Sequence, residues 1–110
     1  MPDHTDYRVR FIATSSRTLE KDASERVESA LATMPGADGV QGVDQDRRRR
    51  RVTATFWIQV RLGMADAARD GSRLAKEALK VAGMGDAQLI ELSVTMSDRS
   101  DRPDGGAPAR

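Results

Sequence analysis

The sequence predicts an α+β fold in which helices cover only one face of an antiparallel sheet. The main observation is an alternation in residues 51–61. One side of this strand is apolar, with Val52, Ala54, Phe56, Ile58 and Val60. The other side is polar except for one large aromatic residue, with Thr53, Thr55, Trp57 and Gln59. Because successive side chains of a strand lie on opposite faces, this strand fits a sheet that has one open face.

Two stretches of helical periodicity are the second observation. The first is expected to begin after the hydroxyl residues 14–16, which are N-cap candidates, and to end at Pro35-Gly36. Its apolar stripe is Leu19, Ala23, Val27, Ala30, Leu31 and Met34. The second helix is expected from about Met64 to Ala82. Its stripe consists of small residues around Gly71, which indicates a close approach of this helix to the sheet.

The order of the elements is the third observation. Strands are predicted at residues 7–13 and 89–96, with Ile90, Leu92, Val94 and Met96 facing inward in the last strand. Segments 24–38 and 72–86 also align without gaps, which suggests a doubled β-α-β unit. Together these features predict a ferredoxin-like β-α-β-β-α-β sandwich. Its four antiparallel strands would have the order 4-1-3-2, with two helices on one face.

Residues 37–46 are the least regular segment. Val40 and Val43 have opposite parity, so a strand here requires a bulge near Gly42 or is a short edge strand. The alternative is a three-stranded parallel β-α-β-α-β layer in which residues 37–50 form a loop. A structureless loop of this length is uncommon in a small domain.

Composition limits the possible functions. The 110 residues carry a net charge of +1, so no global field attracts nucleic acid or a membrane. There is no cysteine, and the one histidine, His4, lies in an expected N-terminal tail, residues 1–6. We therefore expect no cofactor, metal site or membrane span, and a cytoplasmic location. The ferredoxin-like domain is expected to span residues 7–96, and the polar residues 97–110 to form a disordered tail.

The segment from Val27 to Gly36, followed by Val40 and the strand at 52–60, resembles part of the heavy-metal-associated (metallochaperone) family. The shared pattern is a helix that ends in a Met-Pro-Gly stop before a hairpin. This resemblance implies the same fold. The family's metal loop, with its paired cysteines, would fall at residues 13–19, where this chain has Thr14-Ser15-Ser16-Arg17-Thr18. Without thiolates, the resemblance does not extend to metal transport.

The open sheet face is the first candidate site. In the predicted order, strands one and three are neighbours, so Trp57 would share this face with residues of the first and last strands. The candidate residues are Arg8, Arg10, Ile12, Thr55, Trp57, Gln59, Leu89 and Glu91. An exposed apolar patch that contains Trp and Arg is typical of an interface. This pattern favours a non-enzymatic bacterial module that forms a homodimer, senses a ligand or binds a protein partner through this face.

A run of basic residues is the second candidate site. Arg47, Arg48, Arg49, Arg50 and Arg51 are consecutive and could contact phosphates. The opposing interpretation is a solvated hairpin tip in which Asp44 and Asp46 are ion-pair partners. With Trp57, Arg8 and Arg10, this run supports a second hypothesis, an RNA-recognition-like sheet.

A third hypothesis is a cofactor-independent enzyme of the dimeric α+β-barrel type, with Glu91 inside the barrel. No pair of carboxylates lies in an apolar setting that would suit acid–base catalysis, so the sequence predicts no enzyme.

Overall fold

The computed structural model describes residues 5–61 and 63–96. The sheet contains four antiparallel strands: β1 (Thr5–Thr14), β2 (Ala37–Asp46), β3 (Arg51–Val60) and β4 (Gln88–Met96). Two helices, α1 (Ala23–Thr33) and α2 (Met64–Val81), complete the fold. The predicted α+β class is confirmed. The three-stranded alternative is wrong because residues 37–46 pair with β3 as a full strand.

The strands follow the order β2-β3-β1-β4 across the sheet. β1 and β3 form the centre, and their register runs without interruption from Thr5 opposite Val60 to Thr14 opposite Arg51. Both helices pack against the face that carries Val9, Phe11 and Phe56, which are fully buried. β1 begins at Thr5, so Thr5 and Asp6 belong to the sheet and not to a tail. The expected tail residues 1–4 and 97–110, including His4, lie outside the described residues.

Helix α1 begins later than predicted. The hydroxyls of Ser15 and Ser16 do not cap it, because both donate to Asp86 Oδ2, at 3.1 and 2.7 Å. Residues 15–22 instead form an irregular segment, and the N–H of Ser24 donates to Gln45 Oε1 at 2.7 Å. Leu19 is buried as expected, although it precedes the helix.

The expected irregularity of β2 is present. Its register against β3 shifts between Ala37 and Val40, and again between Val40 and Gly42. Gly39 has a φ of +121°, a conformation that side chains disfavour. The hairpin turn is residues 47–50, in which Arg50 has a φ of +58°.

β4 contains a bulge that the alternating pattern does not reveal. Glu91 pairs with Ile12, but the next pair is Leu89 with Ala13, so Ile90 is an extra residue. This insertion reverses two assignments. Leu89, expected on the open face, packs against the core, and Ile90, expected in the core, is 47% exposed.

The small residues of α2 bring this helix close to β1, as predicted. A Cβ built on Gly71 would lie 3.0 Å from both methyl groups of Val9. Val9 is fully buried on a central strand and β-branched, so it has little freedom to move away.

We expect Gly71→Ala to destabilise the domain even though alanine favours a helix by about 1 kcal/mol. Overpacking typically costs about 1–3 kcal/mol, so the net loss should be up to about 2 kcal/mol. In a Val9→Ala background the methyl group has room, and the same change should stabilise by about 1 kcal/mol. Urea unfolding of the four proteins measures both effects. An equal effect in both backgrounds would contradict the close contact.

Candidate functional site

The structure brings together most of the residues predicted for the open sheet face. Arg8 lies directly opposite Trp57 across β1 and β3, and Ile12 lies opposite Glu91 across β1 and β4. Arg10 Nη1 donates to Glu91 Oε2 at 3.3 Å, with both side chains about half exposed. Thr55 pairs with Arg10, and Gln59 is exposed near the end of β3. Leu89 is the exception, because the bulge turns it toward the core.

Trp57 lies on the predicted face, but it is 1% exposed in the single chain. The single chain therefore already buries the largest aromatic residue of this face, without a second copy. A buried ring offers neither a stacking surface for a base nor an apolar centre for a dimer.

The arginine run is largely engaged in local contacts. Arg47 Nε donates to the Leu19 carbonyl at 3.2 Å, and Arg50 Nη1 donates to the Ser16 carbonyl at 3.2 Å. Arg49 lies 3.9 Å from Asp46, the partner that the sequence suggests. Three of the five guanidinium groups thus hold the hairpin and the segment before α1, while Arg48 and Arg51 are exposed.

A groove lies between α2 and β4. Its volume is about 910 Å³. The apolar lining comes from both elements and from the connection between them: Leu79, Met84, Ala87, Leu89, Ile90 and Leu92. Polar residues at its border are Ser72, Lys76, Lys80, Gln88 and Glu91. The groove therefore combines an apolar surface with charged groups at its rim.

The outer edge of β4 borders this groove and pairs with no strand in residues 5–61 or 63–96. From Glu91 to Met96 the register against β1 is regular over six consecutive pairs. Glu91 is the one charged residue of the strand, which contains no proline. An edge of this kind exposes backbone N–H and C=O groups that can pair with another strand.

The opposite edge of the sheet is different. β2 carries three aspartates and two glycines, and its register shifts twice. Charges and bulges are the features by which natural edge strands avoid pairing. Among the described residues, the β2 edge thus carries these features, whereas the β4 edge is regular and unpaired from Glu91 onward.

Asp86 fixes the connection between α2 and β4 at one end of the groove. Its Oδ2 accepts hydrogen bonds from Ser16 Oγ at 2.7 Å, from the Ser16 N–H at 3.1 Å and from Ser15 Oγ at 3.1 Å. These bonds, with that of the Ser16 hydroxyl foremost, hold the pKa of the Asp86 carboxyl well below its usual range. The β1–α1 segment and the start of β4 are therefore held together.

The groove was not among the predicted sites, although Leu89 and Glu91 belong to both. One signal in the sequence could have pointed to it, namely the absence of charged residues from 87–96 apart from Glu91. The position of the bulge and the gap beside α2 depend on tertiary packing. Within the described part of the chain, no group of three or more acidic or histidine residues could hold a metal ion. No helix there is long and apolar enough to cross a membrane.

No protein-family model matches the chain, and a search of curated proteins finds no significant match. Two solved structures show a distant likeness. The YXEP protein of Bacillus subtilis, a dinuclear metal-binding peptidase of the M20 family, is 15% identical, with a TM-score of 0.46 over 84% of this chain and 26% of that protein. The extracellular region of zebrafish Gpr126/Adgrg6 is 16% identical, with a TM-score of 0.40 over 89% of this chain and 14% of the receptor chain. The chain thus spans about a quarter of the peptidase, and neither likeness carries a functional argument.

We expect the emission maximum of Trp57, the one tryptophan of the chain, to be blue-shifted and independent of dilution. The reason is that the single chain already encloses the ring. Fluorescence spectra from micromolar to nanomolar concentration, together with acrylamide quenching, measure this. A red shift on dilution would show that a partner chain covers Trp57.

We expect Asp86→Asn to lower the free energy of unfolding at neutral pH and to flatten its acid dependence. The folded-state pKa of Asp86 is depressed, so its contribution is complete above the unfolded value of about 3.9 and is lost as pH falls toward the folded value. The stability curves of the wild type and the variant should converge below about pH 4. Asp44→Asn, at an exposed position of β2, is the matched control. Parallel curves for the wild type and Asp86→Asn would contradict this role.

Proposed function

We propose that this chain is a non-enzymatic interaction module that binds an extended polypeptide as an added strand on the outer edge of β4. The observation that carries the proposal is the accessible β4 edge beside the apolar groove under α2. In strand addition, backbone hydrogen bonds supply affinity, and side chains at alternate positions supply specificity. β4 offers the backbone groups, and the groove offers a place for the side chains.

Ile90 is central to this proposal. The bulge turns it out of the core, and it lines the groove while 47% exposed. Bulges often re-aim a side chain near a functional site. A bound strand would cover the exposed part of Ile90, which lies next to Leu89 and its contacts with the core.

We assign the fold as ferredoxin-like. The element order β-α-β-β-α-β supports this assignment. So does the sheet order, which reads β4-β1-β3-β2 from the opposite edge. In strand addition a peptide extends the sheet at its edge, so binding there does not require the helices to move.

The other hypotheses have weaker support. A homodimer through the sheet face stays a prediction, but Trp57 is buried in the single chain. Nucleic-acid binding lacks an exposed aromatic residue on this face, since Trp57 is enclosed, and Arg10 is paired with Glu91. For a barrel enzyme, Glu91 is the suspected interior residue, and its carboxylate is paired with Arg10.

A library of random nine-residue peptides, selected for binding to the purified protein, tests the proposal. We expect the selected peptides to perturb the backbone resonances of β4 and α2. Ile90→Lys should weaken them about tenfold, because covering half of an isoleucine side chain contributes roughly 1 kcal/mol and the lysine adds a desolvation penalty. The control Val81→Lys alters an exposed apolar residue that does not line the groove. Peptides that bind both variants equally, or a selection without enrichment, would refute the proposal.

A further inference from the structure

We infer that the strand accepted by β4 is acidic on its helix-facing side, with glutamates two residues apart that pair with Lys76 and Lys80 of α2. This inference rests on the proposed function and adds the chemical class of the partner. It is carried by the charges at the rim of the groove and by their spacing.

The uncompensated charge at the groove is positive. Lys76 and Lys80 are exposed at its border, and neither has an ion-pair partner within 4.0 Å among residues 5–61 and 63–96. Glu91 lines the groove, Asp86 lies between the lining residues Gly85 and Ala87, and both carboxylates are engaged. Glu91 pairs with Arg10, and Asp86 accepts hydrogen bonds from Ser15 and Ser16. An acidic partner therefore complements this rim.

The spacing of the two lysines matches an extended strand. Residues four apart on a helix are about 6 Å apart along its axis. Residues two apart on a strand point to the same face and are about 6.7 Å apart. Two glutamates at positions i and i+2 can thus reach both lysines at once. The methylene groups of the glutamates would lie over the apolar lining near Leu79 and Leu92.

A second copy of this chain fits the same groove less well. Antiparallel pairing of two β4 strands around a two-fold axis would place both α2 helices on the same face of an enlarged sheet. The lysines of the two rims would then face each other across the axis, with like charges. β4 itself offers one acidic side chain, Glu91, which Arg10 already engages.

Three synthetic peptides test this inference with the purified 110-residue protein. Each has threonine at the even positions and valine at positions 1, 3 and 9; positions 5 and 7 are both glutamate, both glutamine or both lysine. At low salt we expect the glutamate peptide to bind about fivefold more tightly than the glutamine peptide, since it adds two exposed ion pairs. The lysine peptide should bind most weakly, and about 1 M salt should remove the differences.

Charge-reversal variants test whether Lys76 and Lys80 cause the preference for the glutamate peptide. Lys76→Glu/Lys80→Glu should reverse the order of the glutamate and lysine peptides. Arg48→Glu/Arg51→Glu makes the same change in net charge at exposed positions that do not line the groove and should preserve the order. If both double variants shift the order equally, the effect is one of net charge and the inference is wrong.

The remaining outcomes separate this inference from the proposed function. Equal binding of all three peptides with loss in Ile90→Lys would overturn the acidic preference and leave strand addition in place. If none of the three peptides binds and the library yields no binder, both the acidic preference and strand addition are refuted. If sedimentation shows a dimer that Ile90→Lys dissociates, the occupant is a second copy, and the acidic partner is refuted.

Discussion

The close approach of α2 to β1 at Gly71 determines how the helical layer covers the sheet. The buried face of α2 is built mostly of small residues, including Ala67, Gly71, Ala75 and Ala78. A helix with such a face must lie close to the sheet to bury its apolar surface. A Cβ built on Gly71 would lie only 3.0 Å from the methyl groups of Val9, which shows how close it lies. At the outer flank of β4, α2 contributes Leu79, Lys76 and Lys80 to the lining of the groove.

The two edge strands of the sheet differ in charge and in the regularity of their register. β2 is an irregular strand in which aspartates, glycines and two register shifts are compatible with one-sided pairing and unfavourable for further pairing. β4 has one bulge near its start and is regular from Glu91 onward. The bulge moves Ile90 from the core to the groove while Leu89 keeps the core contact. One inserted residue thus supplies the exposed apolar side chain of the groove.

Much of the fold could be predicted from local patterns, and the errors have specific physical causes. The face of Trp57 followed from the alternation in β3, but its burial depends on the surrounding chain, which periodicity does not report. Ser15 and Ser16 are reasonable N-cap residues, yet their hydroxyls bond to Asp86, about 70 positions away in sequence. The pattern assigns Leu89 and Ile90 to the wrong faces, because two adjacent apolar residues fit a strand in either alternation. For each of these residues a long-range contact or an insertion overrides the local signal.

The basic residues of this chain illustrate why charge alone is a poor guide to a site. The arginine run is the densest cationic feature, but Arg47, Arg49 and Arg50 are bound to nearby backbone or carboxylate groups, in a solvated hairpin. Exposed charges without an apolar surface gain little from a partner, because water and salt screen them. Lys76 and Lys80 are fewer, but they border an apolar groove beside an accessible strand edge. In the proposed complex, a partner that covers the groove would remove water from these lysines and strengthen each ion pair.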